Sequence, residues 1–139
     1  MAQSFNPPNV WAPFGAFSMG VVQGEGQVVY LKGQVALDPQ GEIVGVGDMN
    51  LQVRTVLNNI QSVLDHVGGR MSDIVSLTQY VTDIEAFMAA GAVRSDFFQP
   101  PFPVTTTVEV ARLYDPNLLV EITAIAEIPK ERFVQPEMT

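Results

Sequence analysis

A single lysine interrupts the apolar run Val28-Val29-Tyr30-Leu31-Lys32-Gly33. An amine buried among such neighbours would act as a base, an imine-forming nucleophile or a cation for a carboxylate. The plainer reading of Lys32 is an ion pair with Glu109 or Glu121, or an exposed side chain. Further candidates alternate along Val104-Thr105-Thr106-Thr107-Val108-Glu109-Val110 and Leu119-Val120-Glu121-Ile122-Thr123-Ala124-Ile125-Ala126. Thr105, Thr107 and Thr123 offer hydroxyls to a carbonyl or hydroxyl ligand, although threonine is also simply a good strand residue. Glu109 and Glu121, on strands read as adjacent, have the residue types of a shared-proton acid/base pair. A structural role is the alternative for both.

Two periodicities identify the elements that must hold these groups. Strict alternation marks two late strands, joined by a turn at Asp115-Pro116-Asn117, with Val104, Thr106, Val108 and Val110 on the core face. Earlier strands are expected over Ala16–Val22 and Val28–Leu37 around a Gly24-Glu25-Gly26 turn, and another from Ile74 to Val81. A 3.6-residue period places Val53, Val56, Leu57, Ile60, Val63, Leu64 and Val67 on one helical stripe, with Asn50 as N-cap and Gly68-Gly69 as terminator. Asp83 caps a second helix over Ile84–Phe97, which Pro100, Pro101 and Pro103 then break. The inner face of that helix carries Ile84, Phe87, Met88 and Gly91, with Arg94 one turn beyond Gly91.

The order β-β-α-β-α-β-β specifies an α+β domain over residues 1–139, with residues 1–13 as an extended arm and 129–139 as a tail. Two helices cover one face of the sheet. The other face is expected to collect Lys32, Gln34, Thr78, Tyr80, Thr105, Thr107, Glu109, Glu121 and Thr123. A sheet facing solvent has the same pattern.

With 139 residues, 47% of them hydrophobic, the chain builds one ordinary core. A net charge of −8 disfavours nucleic acid, whose phosphates require neutralising cations. Cysteine is absent and His66 is the single histidine, so there is no thiolate nucleophile and no usual zinc ligand set. No metal or cofactor is expected. Neither a signal peptide nor a membrane-length apolar run is present, which makes a cytoplasmic location the expectation. Gly45-Val46-Gly47-Asp48-Met49-Asn50 lacks the third glycine and the βαβ setting of a phosphate loop.

Several segments, taken in order, resemble the RidA/YjgF (Rid) family. Pro103-Val104-Thr105-Thr106-Thr107-Val108-Glu109-Val110-Ala111-Arg112-Leu113 is similar to the family's Pro-Ala-Arg-Ser-Thr/Cys-Val-Glu-Val-Ala-Arg-Leu. Gly15-Ala16-Phe17-Ser18 is similar to its Gly-Pro-Tyr-Ser, and Gly33-Gln34-Val35-Ala36-Leu37-Asp38-Pro39 to its Gly-Gln-Ile-Pro-Leu-Asp-Pro. The resemblance covers residues 12 to 128. It implies a chorismate-mutase-like fold, a homotrimer packed through the helix-free faces, and ligand clefts between subunits.

Family members that hydrolyse imines and enamines hold the substrate carboxylate with the arginine of Pro-Ala-Arg, whose planar fork makes two charge-assisted bonds. That position is Thr105 here. Phe17 stands for the motif's tyrosine, Lys32 for the serine before Gly-Gln, Thr123 for a strand glutamate and Gly91 for a helix asparagine. The resemblance therefore implies a small-molecule protein, of the hydrolase and deaminase superfamily if an enzyme, that binds or transforms a small carbonyl, imine or enol metabolite. It is not expected to be the arginine-dependent 2-iminobutanoate/2-aminoacrylate deaminase. A silent metabolite-binding or structural trimer, or weak retained deamination, is the alternative. Catalytic roles fall on Lys32, Thr105 and Thr123. Binding roles fall on Phe17, Gly33, Gly91, Arg94, Thr107 and Glu121, with Arg94 as a replacement for the missing charge.

Overall fold

An 18-residue helix, α1 (Met49–His66), carries the largest apolar stripe of the chain and organises the core. Val53, Val56, Leu57, Ile60 and Leu64 are fully buried on it, as the 3.6-residue period requires. Val63, expected on the same stripe, is exposed. The N-cap is Asp48 rather than Asn50, and its carboxylate accepts from the Leu51 amide at 3.0 Å. Gly68 terminates the helix at φ +81°, where the Arg132 carbonyl packs so closely that a Cβ has no room.

The computed structural model describes residues 1–137. Its main sheet runs β3 (Gln27–Tyr30), β6 (Val120–Ile128), β4 (Ile74–Val81), β5 (Val104–Glu109) in space. β6 pairs antiparallel with β3 and β4, whereas β4 and β5 are parallel. Two short helices, α2 (Ile84–Ala89) and α3 (Gly91–Ser95), make the crossover between the parallel strands. They divide the single helix expected over Ile84–Phe97 at Ala90. Asp83 caps α2 as its sequence position suggests, accepting from the Ala86 amide at 3.0 Å.

The last two strands are not a hairpin. The Asp115 turn forms, with the Leu118 amide on the Asp115 carbonyl, but β4 lies between β5 and β6. Parallel register aligns Thr105, Thr107 and Glu109 with Leu77, Gln79 and Val81, so these residues face the helices. Val104, Thr106 and Val108 take the helix-free face. This reverses the expected orientation of β5. Alternation separates two faces without saying which is inner, and an edge strand beyond the helix layer need not bury its valines.

The arm is more ordered than an extended tether. β1 (Gln3–Phe5) pairs antiparallel with β2 (Gly20–Val22), shorter than the strand expected over Ala16–Val22. The strand expected over Val28–Leu37 breaks after Tyr30; beyond it the Leu31 amide donates to the Ala124 carbonyl and Gln34 bridges to Ile122 of β6. At the other end, Arg132 of the tail makes a bidentate pair with buried Asp73, at 2.6 and 2.9 Å. That pair holds the Arg132 guanidinium above its ordinary pKa, chiefly through the hydrogen bond to Asp73. Met138 and Thr139 of the tail lie outside the described residues.

Gln52 is a polar residue at the centre of this core, fully buried on α1. Its amide donates to the Gly45 and Asn117 carbonyls at 3.1 and 2.8 Å and accepts from the Leu119 amide at 2.8 Å. It thereby fixes the entrance to β6. Gln52→Ala leaves the Leu119 amide and the Asn117 carbonyl without this partner and is expected to cost about 2–3 kcal/mol. The urea unfolding midpoint, at unchanged slope, measures the loss.

Candidate small-molecule pocket

The open edge of β5 and the crossover helices enclose a cavity of about 570 Å³ on the helix side of the sheet. Its floor is Leu77 and Gln79 of β4 with Thr105 and Thr107 of β5. One wall is Phe87 of α2, Arg94 of α3 and Phe98. The opposite wall comes from the arm, through Trp11, Phe14 and Phe17. The Ser18 amide donates to the Pro103 carbonyl at 2.9 Å and moors this segment to the start of β5.

Arg94 is the cation of the cavity. Its guanidinium lies over the Phe87 ring, 4.1 Å from the centroid, and Nη1 donates to the Phe87 carbonyl at 3.2 Å. Among the described residues no carboxylate pairs with it, and burial pulls its pKa below the ordinary value. Asp96, two residues along the chain, pairs instead with Arg54 at 2.9 Å.

Gln79 was not singled out by sequence reasoning, yet it is only 4% exposed. Its Nε2 donates to Thr107 Oγ1 at 2.8 Å, while Oε1 is buried without a partner. A buried acceptor left open in this way is costly unless a ligand supplies a donor. The signal for it in sequence was a polar side chain at an inward position between Leu77 and Val81.

The expected site residues divide into two groups. Phe17, Arg94, Thr105 and Thr107 line the cavity, and Gly91 lies beside the Arg94 guanidinium. Lys32 and Gly33 instead border an open cleft at the β3 edge, with Asn59 and Tyr114. There Gly33 packs directly against the Glu121 carboxylate and Thr123 Oγ1. Glu121 and Thr123 are in register with Tyr80 and Thr78, on the helix-free face. Lys32 is exposed and unpaired among the described residues, so one chain does not supply the burial that a catalytic amine needs.

Glu109 and Glu121 do not meet as an acid/base pair, because β4 separates them and they point to opposite faces. Glu109 Oε1 accepts instead from the Ile84 amide at 3.0 Å. Asp83, Glu85 and Glu109 do bring three carboxylates together in solvent. Two of them are occupied at the α2 N-terminus, which accounts for the cluster without an ion.

Fold and cavity together define a small α+β protein with a mixed four-stranded sheet and a pocket at its open strand edge. The family described as Endoribonuclease L-PSP matches residues 8–128. A RutC family protein of Pyrococcus abyssi is 35% identical over 115 residues, covering 82% of this chain and 87% of that protein. A 2-iminobutanoate/2-iminopropanoate deaminase of Dermatophagoides farinae is 33% identical over 116 residues, covering 84% and 88%. Among solved structures, a Rid-family protein of unknown function from Yersinia pestis superposes with a TM-score of 0.80 at 32% identity, over 91% and 98% of the two chains. RidA from an Antarctic Psychrobacter superposes at 0.68 and 28% identity, over 91% and 99%. The chain belongs to the Rid (YjgF/L-PSP) family.

The contrast between the two buried glutamines is testable by substitution. Gln79→Leu removes an already unpaired acceptor and is expected to change stability by less than about 1 kcal/mol. Gln52→Leu, which orphans the Leu119 amide and the Asn117 carbonyl, is expected to lose more. Parallel urea melts of the two variants measure the difference.

Proposed function

We propose that this chain binds a small carboxylate-bearing carbonyl, imine or enol metabolite, with Arg94 holding the carboxylate. One observation carries the reading: a half-buried guanidinium faces the cavity without an anion of its own. Thr105 then contributes a neutral hydroxyl where deaminating relatives have the family arginine. Thr107 and Gln79 would orient the carbon that bears oxygen or nitrogen.

Hydrolysis requires more than an anchored substrate, since a water must lose a proton as it attacks. No carboxylate, histidine or lysine lines the cavity among the described residues. The reading is therefore binding first, with imine hydrolysis by one chain slow. Retained deamination is the second reading. It is favoured by Arg94 itself, which returns a cation to the pocket from a different element.

A homotrimer with clefts between subunits is part of the proposal. Within one chain Glu121 and Thr123 face away from the cavity, and Lys32 and Gly33 border a separate cleft at the β3 edge beside α1. Only a neighbouring copy would bring such a group to the cavity. Exposed Tyr30 and Val108 on the helix-free face support such packing. Sedimentation equilibrium is expected to give three times the 15.1 kDa chain mass. A monomer would remove the inter-subunit cleft.

Arg94→Met is expected to weaken binding of 2-oxobutanoate by about tenfold to a hundredfold, the worth of a charge-assisted hydrogen bond. The loss would appear as reduced thermal stabilisation at fixed ligand concentration. Freshly generated 2-aminoacrylate, followed as pyruvate and ammonia, decides between the two readings. A rate at the uncatalysed level leaves a binding protein, and an enzymatic rate abolished by Arg94→Met establishes the deaminase.

A further inference from the structure

We infer that the preferred ligand is an aryl-substituted 2-oxo acid in its enol form, or the corresponding imino acid, rather than a three- or four-carbon acid. The inference rests on the carboxylate reading of Arg94 and adds what the remainder of the cavity recognises. The first observation is size. A cavity of about 570 Å³ is in the middle of the roughly 300–1,000 Å³ range of sites for drug-sized ligands, whereas pyruvate has about six heavy atoms.

The second observation is the arm. Trp11, Phe14 and Phe17 form a three-ring cluster with centroids 5.2 to 5.8 Å apart, and the Phe14–Phe17 and Trp11–Phe17 contacts are edge-on. Such spacing is that of mutually supporting aromatic pairs, and it leaves ring faces and edges available to another ring. Trp11 is 63% and Phe14 76% exposed, so the cluster does not exist to fill the core. It stands at the cavity mouth, across from Phe87 and Arg94.

The third observation is Gln79, a cavity-floor residue whose Oε1 has no donor and is closed off from solvent, so its amide must rotate before a ligand donor can reach it. A plain ketone oxygen only accepts and cannot satisfy it. An enol O–H or an imine N–H donates. A 2-oxo acid with an aryl group on C3 enolises readily, because the new C=C bond is conjugated with the ring and the carboxylate. Its carboxylate, enol hydroxyl and ring then match Arg94, Gln79 and the Trp11 cluster respectively.

Trp11 is the single tryptophan, so its fluorescence reports occupancy at the cluster directly. Calorimetric titration of the full chain with phenylpyruvate, 3-phenylpropionate and pyruvate tests the inference. Phenylpyruvate is expected to bind about tenfold or more tighter than pyruvate, as one buried aromatic contact allows, and to perturb Trp11 emission. 3-Phenylpropionate, which has the ring and carboxylate but no donor, is expected to fall between them. Trp11→Ala with Phe14→Ala should weaken phenylpyruvate more than pyruvate and so remove the phenylpyruvate advantage.

Equal affinity for phenylpyruvate and pyruvate, with both lost in Arg94→Met, would overturn the aryl inference while leaving the carboxylate reading intact. Binding of neither acid, or binding indifferent to Arg94→Met, would remove the carboxylate reading and the inference with it. A Trp11→Ala/Phe14→Ala variant that changes sedimenting mass but keeps the phenylpyruvate preference would assign the cluster to subunit contact and also overturn the inference.

Discussion

The parallel register of β5 on β4 is the constraint from which the cavity follows. Pairing Leu77 with Thr105, Gln79 with Thr107 and Val81 with Glu109 turns three polar side chains of an edge strand toward the helix layer. Because β5 is outermost, α1 does not cover them. α2 and α3 lie beside this edge on their way from β4 to β5, and the gap between helix and strand becomes the cavity. A shift by a single residue would expose the threonines on the helix-free face and present valines to Arg94. The Gln79–Thr107 hydrogen bond and the Glu109 contact with the α2 N-terminus both fix the register that is observed.

Polar groups inside this protein fall into two kinds, and comparing like with like separates them. Gln52 satisfies every bond it can make across the core, and Asp73 closes a bidentate pair with Arg132. These groups hold loops and termini in place. Gln79 and Arg94 have the same chemistry but remain partly unsatisfied, and both border the same cavity. Incomplete pairing of buried groups is unfavourable for folding alone. Of the buried side-chain acceptors without a partner among the described residues, Gln79 Oε1 belongs to a residue of this cavity, whereas Glu127 Oε2 lies by a separate cleft with Arg70 and Arg132.

The Rid family gives this cavity its context. Thr105 of β5 is on its floor, and α3 brings Arg94 to the same space from one wall. On the proposed reading, an anion held from the helix side would present its reacting carbon to different neighbours than one held from the strand. The aromatic arm, moored by the Ser18–Pro103 hydrogen bond, adds a further wall from a proline-rich segment. Strand, helix and arm each contribute one side of the cavity.

Local periodicity carried much of this structure. The buried stripe of α1, the Asp83 cap, the Gly68 terminator and the extent of β4 were all legible, because each depends on residues within a turn or two of one another. Family motifs made the α+β class and the Rid assignment readable as well. Sequence also named Phe17, Arg94, Thr105 and Thr107, which one chain brings to the cavity, and Lys32, Glu121 and Thr123, which it leaves at the β3 edge or on the far face of the sheet. Those names came from motif positions and from alternation on β5 and β6, which were read as a hairpin. Alternation reports that a strand has two faces; which face looks inward depends on the partner strand and its direction, and only long-range pairing sets those. The insertion of β4 between β5 and β6, the pairing that leaves Gln79 Oε1 open, and the turning of Arg94 away from Asp96 are tertiary facts for the same reason: each depends on contacts between segments distant in the chain.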